Sequence, residues 1–227
     1  MANHNGPEQE ILDEAVNKTE IFFEKNGKKL SVLILTIIAI VLGGYGYYAL
    51  VSTPRIEKAA ELISKAQTRF DSQTPDFALA LNGDENGAGF LNVIDQYGST
   101  PSGNLAKHYA GICYLRAGDL ENAAKFLAQY SAVDGLPGAI VNAQNLGLQG
   151  DVAVQAGDFA SATKFYKKAV AAADNMLTAP MYLRKMGLVE NKLGNNAKAI
   201  ECFQEILDSY PSSYDAREAE KFIGASK

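Results

Sequence analysis

"GICYLRAGDLENAAKFL" at residues 111–127 is followed by two variants of itself, "GDVAVQAGDFASATKFY" at 150–166 and "GLVENKLGNNAKAIECF" at 187–203. Each phrase begins with glycine, has a second glycine seven residues later and an alanine five residues after that. The phrases recur at intervals of 39 and 37 residues, which is typical of a repeated helix–turn–helix unit. The small residues allow two helices to approach closely, and each second glycine with the Asp or Asn after it ends one helix and caps the next. The sequence therefore predicts an all-α solenoid.

At these positions the chain resembles a tetratricopeptide-repeat protein. Further matches to that repeat are Tyr114, Tyr166, Ala169, Phe203 and Pro211. The observed periods exceed the usual 34 residues, so we expect longer helices or loops between units. The predicted repeat domain covers 52–227, with a degenerate unit at 55–103, repeats at about 104–141, 143–178 and 180–211, and a capping helix at 212–224.

A second feature is the run "LSVLILTIIAIVLGGYGYYALV" at 30–51, which carries no charged residue. As a helix, its 22 residues extend about 33 Å, enough to cross a hydrocarbon core of about 30 Å. A core helix of this length would rarely lack charge, and a secretory signal normally has a shorter basic start. The pattern favours a single transmembrane helix over a cleaved signal. Three lysines before the run, against Arg55 after it, favour a cytoplasmic N-terminus.

Residues 1–29 are predicted to be a cytoplasmic amphipathic segment, in which a helix extends from Gly6 to an end at Asn26–Gly27. Its acids outnumber its lysines, so docking on a membrane protein is as reasonable an interpretation as lying on lipid. The candidate partner-binding side chains of this helix are Ile11, Leu12, Val16, Phe22 and Phe23.

Composition argues against several other functions. The net charge is −5 and no basic block indicates nucleic acid as a partner. Cys113 and Cys202 lie in helical patterns, which predicts buried free thiols rather than a metal site or a disulfide framework. The "NGDENG" at 82–87 imitates the start of a calcium loop, but Val93 stands where the closing carboxylate belongs. We expect no enzyme, no metal and no cofactor.

Tetratricopeptide repeats generally bind ligands on the concave wall made by the first helix of each pair. Transfer of those family positions through the shared glycines gives a candidate peptide groove that mixes aliphatic and single-charge residues, suited to extended polypeptide. The groove candidates are His108, Ile112, Leu115, Arg116, Gln144, Asp151, Gln155, Met181, Arg184, Leu188, Asn191 and Lys192. His108 and Ile112 stand where a carboxylate-clamp subset would need Asn and Lys, so capture of a C-terminal carboxylate is not expected.

The order of acidic helix, "FFEKNGK" junction at 22–28, single span and short repeat array resembles the bacterial ancillary SecYEG translocon subunit family. The resemblance covers nearly the whole chain. It implies an inner-membrane protein with a periplasmic repeat domain, whose partners are the Sec translocon, a membrane-anchored periplasmic chaperone and exported polypeptides.

Two functions follow as hypotheses. The first is a membrane-anchored, extracytoplasmic accessory subunit with a chaperone-like role in protein transport, contacting lipid through 30–51. The second is a scaffold subunit of another cell-envelope complex, for secretion, motility or outer-membrane assembly. A cytoplasmic regulator would require the reverse orientation.

Overall fold

The computed structural model describes the backbone of residues 7–226 and the side chains of residue 14 and residues 16–226. It divides into two compact units, Met1–Pro54 and Arg55–Lys227. The described residues are almost entirely helical, which confirms the predicted all-α fold. The helices are α1 (Pro7–Tyr47), α2 (Thr53–Phe70), α3 (Phe77–Asn82), α4 (Phe90–Tyr97), α5 (Pro101–Arg116), α6 (Leu120–Ala128), α7 (Leu136–Gln155), α8 (Phe159–Ala172), α9 (Thr178–Lys192), α10 (Asn196–Ser209) and α11 (Ala216–Ala225).

The first unit is one long helix, α1, followed by a π-helical turn at Tyr48–Ser52. The predicted helix end at Asn26–Gly27 is therefore wrong. A glycine that ends a helix normally adopts a positive φ, and Gly27 is not among the positive-φ glycines. The Asn26 side chain instead donates a hydrogen bond to the carbonyl of Phe22, 3.1 Å away, which satisfies it within the helix. The predicted boundaries of the transmembrane helix, after residue 29 and at residue 51, stay predictions.

The apolar run of α1 is exposed on all sides. Among the described residues, this is the one helix long and apolar enough to cross a membrane, and none of its apolar window is buried. A core helix of a soluble domain would be covered by neighbouring elements. No other described element of the first unit covers the run, and by length and composition it fits a membrane anchor or a signal sequence.

The second unit is built from antiparallel helix pairs, in which we name the first helix A and the second helix B. The pairs α5–α6, α7–α8 and α9–α10 follow one another, and α11 packs against α10. The A-to-B connections are tight turns at Gly118, Gly157 and Gly194, whose φ values of 79°, 80° and 77° belong to the left-handed region that favours glycine. Each of these glycines ends a helix A.

The repeated first glycine and alanine account for the packing inside each pair. A Cβ added to Gly111 would lie 2.5 Å from the Leu127 side chain, and the same addition at Gly150 or Gly187 would meet the Tyr166 ring at 2.5 Å or the Phe203 ring at 2.7 Å. In each case the obstructing side chain is the last residue of the same quoted phrase. The alanine five residues after the second glycine is fully buried in each phrase, at Ala123, Ala162 and Ala199. Helix A thus approaches helix B closely in all three pairs.

Residues before the first pair form a further packed layer. Arg55 at the start of α2 donates to the Gln96 carbonyl near the end of α4, at 2.5 Å, which joins these two helices. Between them lie α3 and a two-stranded hairpin, β1 (Gly83–Asp84) and β2 (Gly87–Ala88). Arg69 fastens the hairpin through an ion pair with Asp84 at 2.6 Å. The hairpin lies within 55–103, the stretch predicted to be a degenerate repeat unit.

The two cysteines are buried free thiols, as predicted. Burial raises the pKa of Cys113 to about 12 and that of Cys202 to about 11, which leaves both thiols protonated and unreactive at neutral pH. Neither cysteine is a candidate for redox chemistry.

Candidate functional site

A cavity of about 300 Å³ lies between the A helices α5 and α7. Five of the predicted groove residues line it together with one further leucine. The lining residues are Ile112, Leu115, Arg116, Leu148, Asp151 and Gln155. Leu148 was not predicted, although it stands two residues before the first glycine of its phrase.

The chemistry of this cavity, which we call the α5–α7 groove, is apolar at one side and polar at the other. Ile112, Leu115 and Leu148 provide aliphatic surface, and all three are partly exposed. Arg116 is exposed, and within the described part of the chain its guanidinium forms no ion pair but lies 6.0 Å from the Phe77 ring centroid. Gln155 contributes an exposed amide. The groove can therefore hold apolar side chains beside a carbonyl or carboxylate oxygen.

Asp151 is the acidic member of the groove, and it is already engaged. Its carboxylate accepts hydrogen bonds from the Tyr166 hydroxyl at 2.7 Å and from Lys185 Nζ at 2.7 and 2.8 Å. The ammonium of Lys185 neutralises the carboxylate, so Arg116 gives the α5–α7 groove its net charge. Burial and the neighbouring Asp151 together raise the pKa of Tyr166, which remains a hydrogen-bond donor.

His108, predicted as a groove residue, is instead a core residue. Its side chain is only 3% exposed, and its Nδ1 lies 3.3 Å from Asn145 Nδ2 of α7. Asn145 in turn accepts from Gln149 at 2.8 Å, which completes a polar connection between α5 and α7. Burial lowers the pKa of His108 to about 4 and keeps the imidazole neutral at pH 7. The helix position matched the family groove, but the adjacent helix A covers it.

The third-repeat candidates lie apart from the α5–α7 groove. Arg184 donates to Asp215 at 2.5 Å, and Asn191 donates to the Ser226 hydroxyl at 2.8 Å, so both fasten α9 to the C-terminal segment. Met181 packs on the apolar cluster around Tyr166 and Tyr182. The remaining candidates of α7 and α9 are exposed outside the cavity: Gln144, Leu188 and Lys192.

The candidate partner surface of α1 is only partly described. Val16, Phe22 and Phe23 are 56%, 55% and 57% exposed. The side chains of Ile11 and Leu12 lie outside the described residues. Three apolar side chains in the part of α1 before the apolar run are thus exposed.

The ion pair from Lys185 was missed at the sequence level. Lys185 stands two residues before Gly187, at the same repeat position as Leu148 before Gly150. The shared position was a usable signal, because both side chains project from helix A toward the preceding helix A. Groove candidates should therefore include this position in each repeat.

Among protein families, the tetratricopeptide repeat matches residues 182–213, which cover most of α9 and all of α10. No curated protein matches the chain. Among solved structures, one of the MamA protein aligns at 18% identity and a TM-score of 0.53, covering 76% of this chain and 80% of its own. A second MamA structure aligns at 19% identity and a TM-score of 0.43, covering 60% and 86%.

The first MamA alignment shows a shared fold, and the family match identifies its repeating unit at 182–213. Tetratricopeptide repeats are protein-binding scaffolds. The second unit of this chain is accordingly a tetratricopeptide-type solenoid, a fold that typically serves as a protein-binding scaffold.

Proposed function

We propose that this chain is a single-pass inner-membrane protein whose repeat domain lies in the periplasm and binds proteins at the Sec translocon. It would serve there as an accessory, chaperone-like subunit. The binding part rests on one observation, the α5–α7 groove with its aliphatic wall and the exposed Arg116. The location rests on the exposed apolar run and on the resemblance of the "FFEKNGK" junction to the ancillary translocon subunits.

The mechanism requires no covalent step and no nucleotide. At about 300 Å³ the groove accommodates a few side chains of an extended segment, at the small end of ligand pockets. Such a site binds weakly in free solution. A tether changes this, because holding the site beside a partner raises the effective concentration to about the millimolar range. A weak groove at an exit channel could thus hold an emerging chain briefly and release it.

Affinity purification after gentle solubilisation tests the binding part. We expect the full-length chain to recover the Sec channel and exported polypeptides, identified by mass spectrometry. Arg116→Glu should reduce the amount of recovered polypeptide several-fold, since it reverses the charge that Arg116 gives the α5–α7 groove. Lys167→Glu is the matched control, because it makes the same charge change at an exposed position of α8.

The outcomes separate the two hypotheses. Recovery of only a different envelope complex would favour the scaffold alternative over the translocon subunit. An equal loss of recovered polypeptide in the Arg116→Glu and Lys167→Glu variants would show that the α5–α7 groove does not bind it. A reporter fused after Lys227 tests the orientation, and activity only in a cytoplasmic reporter would contradict the periplasmic placement.

A further inference from the structure

The connections of the repeat domain lie at two opposite edges, because its helices alternate in direction. The AB edge holds the three glycine turns already described. The BA edge holds the connections from each helix B to the next helix A: α4 to α5, α6 to α7, α8 to α9 and α10 to α11. The two edges are built differently, since the BA connections from α6 onward are several residues longer than the glycine turns.

Hydrogen bonds join neighbouring parts of the BA edge. Asn104, in the first turn of α5, donates to the Ser131 carbonyl at 2.7 Å and accepts from its amide at 2.8 Å. Tyr210 donates to Asp174 at 2.5 Å, which links the α10–α11 connection to the α8–α9 connection. These bonds hold the longer loops in place and make the edge a defined surface.

Exposed apolar side chains of the repeat domain concentrate on this edge. Among residues 55–226, eight large apolar side chains are exposed, and six of them lie in BA connections or in the first two turns of the helix that follows. These six are Val133, Leu136, Ile140, Met176, Leu177 and Tyr214. The three most exposed, Leu136 at 83%, Tyr214 at 77% and Leu177 at 74%, come from three successive connections. None of these three residues belongs to the solenoid core.

The start of the repeat domain lies on the same edge. Arg55 contacts Gln96 and the Tyr97 ring, at the α4 end of the first BA connection. Arg55 lies only four positions after Val51, the last residue of the apolar run. A chain extends at most about 14 Å over four positions. If the run spans a bilayer, the Arg55 end of the BA edge is held close to the lipid headgroups.

We propose that the BA edge rests on the membrane, with Leu136, Leu177 and Tyr214 inserted among the lipid headgroups. This inference relies on the membrane anchoring of the proposed function. Leucine and tyrosine suit that region, where an apolar or amphipathic side chain is buried while its neighbours remain in water. Edge contact fixes which face of the solenoid points away from the bilayer.

The charge on the BA edge specifies the kind of lipid. Asp134, Asp174 and Asp208 are exposed beside the apolar residues. Carboxylates are repelled by anionic headgroups within a screening length of about 8 Å. The edge therefore suits a zwitterionic surface, and insertion does not depend on anionic lipid.

Tryptophan fluorescence tests this directly, because the chain contains no tryptophan. Leu177→Trp and Leu136→Trp place a single reporter on the BA edge, and Leu193→Trp places one on the AB edge, where Leu193 is 41% exposed. The full-length variants are reconstituted into phosphatidylcholine vesicles with brominated acyl chains. We expect a blue-shifted emission reduced about twofold by the brominated lipid for the BA-edge reporters only. Added phosphatidylglycerol should not increase the quenching.

Further variants and measurements on the same vesicle samples test the proposal. In Leu177→Trp, adding Leu136→Asp and Tyr214→Asp should restore most of the emission, and circular dichroism should show an unchanged fold. Vesicle flotation with equal quenching at both edges would overturn the edge contact while leaving the anchor intact. A blue shift without lipid quenching would show that another protein copy covers the BA edge. That result would also overturn the proposed contact with lipid. Failure to float would instead contradict the anchor itself.

Discussion

The two units use similar aliphatic and aromatic side chains and expose them in opposite ways. Ile34 and Leu42 of α1 are 54% and 64% exposed, whereas Leu127 and Phe203 of the repeat domain are fully buried. The difference comes from the residues between them. The repeat domain places Gly and Ala at fixed intervals, which lets helices approach and cover one another, while the run in α1 is apolar on every side. Apolar content alone does not determine burial; the spacing of small residues does.

The largest effect is expected when charged residues are placed in the exposed apolar run of α1. Ile37→Asp combined with Val41→Asp places two carboxylates within the run and raises the free energy of membrane insertion by about 6 kcal/mol. We expect the protein to move from the carbonate-resistant membrane pellet to the supernatant, while the melting temperature of the repeat domain stays unchanged. Ile37→Leu with Val41→Leu is the control. Continued carbonate resistance of the Asp pair would argue against a spanning helix.

The corresponding change in the repeat domain removes a buried ring. Phe203→Ala leaves a cavity beside Gly187 and should lower the free energy of unfolding by about 3–5 kcal/mol, with no effect on membrane retention. Phe22→Ala is the matched control, because Phe22 is 55% exposed and its removal should leave the melting temperature unchanged. Thermal denaturation measures both. Similar losses for the two variants would contradict the contrast in burial.

A third prediction concerns a polar group enclosed in the repeat domain. Burial lowers the pKa of His108 to about 4, so between that value and about 6.5 the unfolded chain binds a proton that the folded chain does not. Stability therefore falls as the pH falls, by about 2 kcal/mol between pH 7 and pH 5. Urea titrations at the two pH values measure the change. His108→Gln should lose most of this dependence, and an unchanged dependence would assign it to other groups.

The smallest effect distinguishes two helix caps within the repeats. Asp158 Oδ1 accepts from the Ser161 amide at 3.0 Å, whereas Asn195 forms no cap bond and its side chain donates to Glu190 at 2.7 Å. Asp158→Ala should cost about 1 kcal/mol of stability, and Asp158→Asn should cost less because Asn also caps helices well. Chemical denaturation resolves the difference. Equal stability of all three proteins would show that this cap contributes nothing.

The repeat frame was readable from the sequence because it depends on local spacing. Gly111 and Leu127, sixteen residues apart in the first phrase, meet because a tight turn joins two helices of fixed length. The same reasoning placed Cys113 and Cys202 in the core. Features that depend on a single turn and its two helices are therefore predictable.

Other features depend on how successive repeats are rotated, which local spacing does not specify. The ion pairs Lys185–Asp151 and Arg184–Asp215 join residues 34 and 31 positions apart, and His108 is covered by a neighbouring helix A. The end predicted at Gly27 failed for a different reason, since a glycine permits a helix end without requiring one. The groove set as a whole stays a prediction, although five of its members surround one cavity.

The most direct test of the account is the intact mass of the chain recovered from carbonate-washed membranes. We expect a membrane-resident protein whose mass includes residues 30–51. A soluble protein beginning downstream of Tyr48 would identify the run as a removed signal and contradict the anchored, channel-side role.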